Sequence, residues 1–430
     1  LRQIPQFRCI FVAYFNNNVK SSWLHKLSMI DSKPVTGSPQ SISFNDTAIA
    51  FSSKSDAELR KMYGLFAAMN SNFLVKFGTG VLKAAFAIRF PFIKSLVKST
   101  IFEHFCGGET IDECATTTQN LWKFRIGTIL DYSVEGAKTD EGFEATTQEI
   151  IRTIQKAAGN PAIPFSVFKV TGLAATELLQ KVQNGESLSD IEQDDYEHVK
   201  DRVERICCHA YEHNVRIFID AEETWIQDAI DALAYEMMEK FNRQQPIVYN
   251  TYQMYRWDML SNLKRAYEAA NEKGYFLGAK LVRGAYMEKE AKMAVAEDRP
   301  NPIQPNKPST DRDFDDALKF CVEQYPKIAI CAGTHNEAST HFLIELMKER
   351  GIRPDDPHVF FAQLYGMSDN LSYNLAHAGY NVAKYVPYGP VAAVMPYLFR
   401  RASENTAIAG QSSREFRLIK KEMRRRKRAK

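Results

Sequence analysis

The chain reads as an α/β protein: a distorted (β/α)8 barrel of the TIM type, with an N-terminal helical extension and a final helix over the barrel mouth. Three observations predict this. Eight short runs rich in β-branched and aromatic residues recur from residue 125 onward, and longer amphipathic stretches separate them. Strands joined by helical crossovers pair in parallel, and eight such units favour a closed barrel over an open sheet. Neither G-x-G-x-x-G nor G-x-x-x-x-G-K-S/T occurs, which argues against a Rossmann or P-loop domain.

Composition sets the class. The 430 residues, 45% hydrophobic and 25% charged, can bury a large core and are neither collagenous nor disordered. A net charge of +3 gives no reason to expect a nucleic-acid partner. Seven cysteines with no C-x-x-C argue for a reducing compartment without a structural zinc or disulfide frame. Cys207, Cys208, His209 and His213 could share a helix face with a metal, but paired ligands elsewhere are missing, so no metal is expected. No uncharged apolar run reaches the length of about 20 residues that a membrane-spanning helix needs.

Two domains are expected: 1–115 as an N-terminal extension and helical arm, and 116–430 as the barrel with a basic C-terminal tail. Residues up to about 55 read as loop or extension. Ser55-Asp56-Ala57-Glu58 is a capped helix start. From there to Glu103 no acidic residue occurs, while Arg60, Lys61, Lys76, Lys83, Arg89, Lys94 and Lys98 punctuate apolar residues. Such a segment either packs on the barrel or lies on an anionic membrane. Gly78, Gly80 and Pro91 interrupt a long surface-lying helix and favour packing.

The expected strands are 125–130, 165–170, 215–219, 247–251, 276–282, 328–332, 359–362 and 382–386, with helices such as 224–242, 257–272 and 336–350 between them. In a barrel, function sits where strands end. Those ends carry Glu135, Lys169, Asp220, Asn250, Lys280 with Arg283, Thr334-His335-Asn336, Gln363 and Tyr385. Leu281, Leu364 and Tyr385 would supply apolar walls. After the last strand, Tyr397, Arg400, Arg401 and Glu404 fall at i, i+3, i+4, i+7, one face of a helix whose other side carries Leu398, Ala402 and Ala409. Adjacent guanidinium groups repel unless an anion lies between them, and their forks match a carboxylate or phosphate. Lys169 and Asp220 alone could be a structural ion pair; a full polar rim is harder to dismiss. It offers cations for anionic ligands but neither a nucleophile and base for hydrolysis nor a metal cluster, and so points to redox chemistry carried by a cofactor.

Lys280-Leu281-Val282-Arg283-Gly284-Ala285-Tyr286, Ala332-Gly333-Thr334-His335-Asn336, Tyr385-Val386-Pro387-Tyr388-Gly389 and Tyr397-Leu398-Phe399-Arg400-Arg401-Ala402-Ser403-Glu404-Asn405 resemble the signature blocks of the eukaryotic mitochondrial proline dehydrogenases. Ile219-Asp220-Ala221-Glu222-Glu223 and Tyr249-Asn250-Thr251-Tyr252-Gln253 fit as well. The resemblance runs in order from about residue 120 to 420. It implies an FAD enzyme that oxidises L-proline to Δ1-pyrroline-5-carboxylate and passes electrons to ubiquinone, on the matrix side of the inner mitochondrial membrane with peripheral membrane contact. It implies Asp220, Lys280 and Tyr385 as catalytic residues, and Lys169, Leu364, Tyr385, Tyr397, Arg400 and Arg401 around the substrate. FAD would be held by Ala221, Asn250, Lys280, Val282, Arg283, Gly284, Thr334, His335 and Glu404.

Bacterial members usually carry Arg and Gln at the positions of Lys280 and Asn250. In the sister group that oxidises hydroxyproline, the position of Tyr385 is typically serine, so Tyr385 favours proline. Hydroxyproline oxidation and a non-catalytic, membrane-associated barrel scaffold stand as alternatives. The run Arg424-Arg425-Arg426-Lys427-Arg428 reads as a solvated terminus, with attraction to anionic lipid as its functional alternative.

Overall fold

Strands covered on both faces must be apolar on both, and this chain meets that condition eight times. A computed structural model describes residues 42–71, 78–82, 88, 92–133, 139–407 and 411–429, without the side chains of 402–407 and 411–413. Residues 1–41, Glu135 and the Glu404 side chain lie outside the described set. All eight expected strands form: β1 (Ile126–Tyr132), β2 (Phe165–Lys169), β3 (Arg216–Asp220), β4 (Val248–Gln253), β5 (Leu277–Val282), β6 (Ile328–Gly333), β7 (Val359–Leu364) and β8 (Val382–Tyr388). They pair in chain order and in parallel, and β8 closes on β1 from Ile126↔Val382 to Tyr132↔Tyr388.

Inside the barrel, aromatic rings fill the floor. Phe165 stacks on Phe218 with centroids 4.3 Å apart, and Tyr249 meets both edge-on. Tyr249 also explains Gly278 opposite it: a Cβ there would stand 2.7 Å from the ring and 2.4 Å from the Val248 carbonyl. The strands' outward side chains, among them Leu130, Phe168, Ile219, Leu281 and Ile330, join the helix layer in the main core. Leu281, expected as a mouth wall, is therefore on the outer face.

The helices start where sequence signals place them. Ser189 and Glu192 form a capping box on Asp190–Glu212, and Asn336 caps Glu337–Glu349. Gly274, at φ 73°, ends Met259–Lys273. Ser55 and Glu58 form a second capping box on Asp56–Met69. This arm helix buries Leu59, Met62 and Phe66 against Leu418 and Ile419 of the last helix, Gln411–Arg428, so packing is the outcome there. The expected boundary at residue 115 falls inside the helix Cys114–Trp122.

The basic tail is only partly solvated. Arg426 donates to the carbonyls of Lys54 (2.8 Å) and Phe51 (2.9 Å) and to Asp56 (3.0 Å), while Arg425 and Arg426 both engage Glu422. Those partners lie some 370 positions away in sequence, which a local charge count does not see.

Candidate active site

Period-two alternation fixes what the mouth contains. Lys169 pairs with Asp220, Thr251 with Lys280, and Leu364 with Tyr385, so these side chains share the inward face. The Lys280 ammonium donates to Asp220 Oδ1 and Tyr385 Oη, both at 2.5 Å, and lies 4.3 Å from the centre of the Tyr385 ring. Tyr385 Oη also donates to Asp220 Oδ1 at 3.3 Å, and Thr251 Oγ1 approaches the same oxygen at 3.5 Å. Burial beside Asp220 raises the Tyr385 phenol well above its ordinary value. The three residues expected to act together are thus one hydrogen-bonded cluster.

Asp131 stands in the same layer and was missed. Burial raises its carboxyl, and Lys169 opposes the rise while the Asp220 charge adds to it; Ser133 Oγ donates to it at 2.7 Å. Glu222, two residues past Asp220, is 3% exposed and accepts from the Thr171 N–H at 3.0 Å and from the Thr171 hydroxyl. Burial pushes it up to about 7 against the pull of Lys169. Tyr286 also faces this group: burial raises its phenol to about 12, the Lys169 and Arg400 charges lowering it and Glu222 and Glu223 raising it. The charges of Lys169 and Arg400 thus both reach Tyr286.

At the opposite corner, β5 and β6 bring together Val282, Arg283, Gly284, Thr334 and His335. Arg283 uses each of its three nitrogens, donating to Asp311 (2.7 Å), Thr334 Oγ1 (2.8 Å) and Ser339 Oγ (2.8 Å) over the Phe314 ring. Gly284 has φ 122°, and a Cβ there would stand 2.6 Å from the Tyr255 ring. Val282 presses within 3.0 Å of where a Cβ on Gly333 would be. His335 is held neutral: burial, with the charges of Lys384, Arg401 and Arg283, lowers it to about 3. Ala221 is buried at the end of β3.

The final helix, Met395–Ala407, covers this mouth. Tyr397 and Leu398 are buried with Met367 and Phe105, and Leu364 joins that cluster to the barrel interior. Arg401 is 7% exposed and lies 5.2 Å from the centre of the Tyr397 ring.

Two expected rim residues are not in the mouth. Asn250 pairs with Ile219 and Ala279, both outward. Its amide donates to Asp231 at 2.8 Å and its carbonyl accepts from Thr251 N. Its side chain thus faces the helix layer and ties that layer to Thr251. Gln363 is likewise outward, bonded to the Thr334 carbonyl and to Ser372.

The proline dehydrogenase family model matches residues 114–414, more than half of the chain. The chain belongs to the proline dehydrogenase family. Among relatives, "Proline dehydrogenase 1, mitochondrial" of Arabidopsis thaliana is 32% identical over 92% of this chain and 88% of its own length. The Dictyostelium discoideum protein of the same description is 35% identical over 77% of the chain, which spans 65% of that relative. The human one is 40% identical over 52% of the chain and 38% of its own length. Proline utilization A from Bdellovibrio bacteriovorus superposes with a TM-score of 0.66 at 20% identity, over 85% of this chain and 40% of the other, and shares the fold. In this family member, the matched span begins at the helix before β1 and runs past the final helix.

Proposed function

We propose that this chain oxidises L-proline to Δ1-pyrroline-5-carboxylate with FAD bound between the barrel mouth and the final helix. The observation that carries the reading is the Asp220–Lys280–Tyr385 cluster beneath a helix presenting Arg400 and Arg401. The β5–β6 corner fits an anionic cofactor: around the neutral His335 imidazole stand Arg283, paired with Asp311, Lys384, paired with Asp369, and the buried Arg401 of the covering helix. Lys280, Val282, Arg283, Gly284, Thr334 and His335 would hold it, with Ala221 and Glu404 as further candidates.

Bound FAD supplies the acceptor for the hydride that leaves the ring carbon beside the proline nitrogen. The chain's own residues orient the substrate. Arg400 and Arg401 clamp the carboxylate, Lys169 and Asp220 form the polar floor, and Tyr385, Leu364 and Tyr397 wall in the pyrrolidine ring. The helix lid keeps water away from the ring. Only the neutral amine can give up the hydride, so the reaction gains rate as pH rises.

Two further parts of the reading concern setting. Ubiquinone is the proposed electron acceptor, at the matrix side of the inner mitochondrial membrane. Among the described residues no helix is long and apolar enough to cross a membrane. Peripheral contact is supported by Val81, Ile88, Phe92 and Leu96, all exposed on the basic arm, Phe92 at 85%.

The test is the visible spectrum of the reconstituted protein mixed anaerobically with L-proline, with trans-4-hydroxy-L-proline in parallel. Flavin bands that bleach fast with proline, and faster as pH rises from about 6 to 9, are expected; a flat pH profile or no bleaching overturns the reading. Tyr385→Ser is expected to shift relative kcat/KM toward hydroxyproline by roughly tenfold, since the lost ring opens space for the hydroxyl. Unchanged relative kcat/KM would remove the steric account.

A further inference from the structure

His335 is where the mouth is tied to the outside of the barrel. Being neutral, its imidazole has one donor and one acceptor nitrogen, and which is which decides what it offers to a ligand. Nδ1 lies 2.8 Å from Ser368 Oγ. Ser368 is 4% exposed, and its hydroxyl makes no other hydrogen bond among the described residues. If Nδ1 carried the proton, the buried serine hydroxyl would have nowhere to donate. With Nδ1 bare, the hydroxyl donates to it and Nε2–H is left to donate elsewhere.

Ser368 is itself held in an unusual conformation, φ 50°, in the left-handed region that L-residues avoid. Its backbone is engaged on both sides. The N–H donates to Glu415 of the last helix, and the carbonyl accepts from Leu371 N at 2.9 Å and Ser372 N at 3.1 Å. Glu415 is 5% exposed. The same turn is pinned by Lys384, fully buried, which donates to Asp369 Oδ1 at 2.8 Å and to the Met367 carbonyl.

We propose that Ser368 and Glu415 are positioning residues: Ser368 fixes the tautomer and ring orientation of His335 so that Nε2–H donates into the cofactor cradle, and Glu415 holds Ser368 in place. The proposal rests on the flavoenzyme reading for what Nε2 meets, though not for the tautomer itself. It makes Gln411–Arg428, outside the barrel, part of the active-site assembly.

The experiment uses the full chain labelled with 15N-histidine, with and without FAD, and reads ring nitrogens by long-range proton correlation, assigning His335 by its loss in His335→Asn. The wild type is expected to show Nδ1 bare and Nε2 protonated, a result needing no variant. Ser368→Gly removes the hydroxyl while relaxing the positive φ, so the fold is kept. It is expected to mix the two tautomers, shift the flavin absorption bands, and weaken FAD binding about tenfold, the scale of one buried hydrogen bond. Glu415→Ala is expected to move the same readouts in the same direction. Glu415→Gln, which keeps an acceptor, is expected to restore them. A protonated Nδ1 in the wild type overturns the proposal, as do His335 signals and FAD affinity unchanged in Ser368→Gly. Failure of the wild type to bind FAD would sink the flavoenzyme reading instead, with the tautomer still read from the apoprotein.

Discussion

Lys280→Met is expected to lower kcat/KM for L-proline at least about a hundredfold and to destabilise the barrel by about 3 kcal/mol. The ammonium touches Asp220 and Tyr385 at 2.5 Å each, with 7% of the lysine side chain exposed. Without it, the Asp220 carboxylate stays in a confined mouth next to Asp131, whose carboxyl is already raised by burial and by the Asp220 charge. Two carboxylates then compete for Lys169. The loss of stability should therefore be non-additive: Asp220→Asn combined with Lys280→Met is expected to be more stable than Lys280→Met alone, while activity stays low. Urea denaturation of the four proteins, with stopped-flow flavin reduction, measures both halves. Strict additivity would mean that the pair is not coupled.

The second large effect is expected at Gly366, where Ala should cost about 3 kcal/mol or more. Its φ is 76°, and a Cβ would stand 2.3 Å from the His104 carbonyl oxygen, a backbone atom that cannot swing aside. The His104 ring also meets the Gly366 carbonyl at 2.9 Å. Any relief must move the turn after β7, which carries Leu364 and Ser368. Gly351 is the control: φ 66°, with nothing within 4 Å of an added methyl, so Gly351→Ala should cost only about 1 kcal/mol. Thermal denaturation compares the two directly, and equal costs would mean that the contact with His104 is easily relaxed.

The barrel was legible because its signal is redundant. Strand runs, crossovers and caps all repeat, and β2, β3 and β8 fall within a residue or two of expectation. Side-chain direction was less legible, because strands buried on both faces lose the polar alternation that marks an inner side. Asn250 and Gln363 were placed on the rim for this reason, and their register partners put them outside. Asp131 lies just past the expected end of β1 at Leu130, whereas the strand runs to Tyr132 and includes it. Glu222 lies in the block 219–223 with nothing local to single it out from its neighbours, and Ser368 carries no local signal. Their partners, Thr171 and His335, come from other strands' loops, and parity at Asp220 and Lys280 was the clue that could have aligned the whole layer.

The seam between β1 and β8 has a consequence for the order of folding. Those strands begin at Ile126 and Val382 and pair along their whole length, and the arm joins the same seam through Gly107 N on the Pro387 carbonyl. A chain that pairs β1 through β7 in order keeps both lateral edges of that sheet open until β8 joins. Such edges are templates for pairing with other chains. Docking of β8 is therefore the single step that seals both edges at once, and a truncation before Val382 leaves a sheet with two unsealed sides.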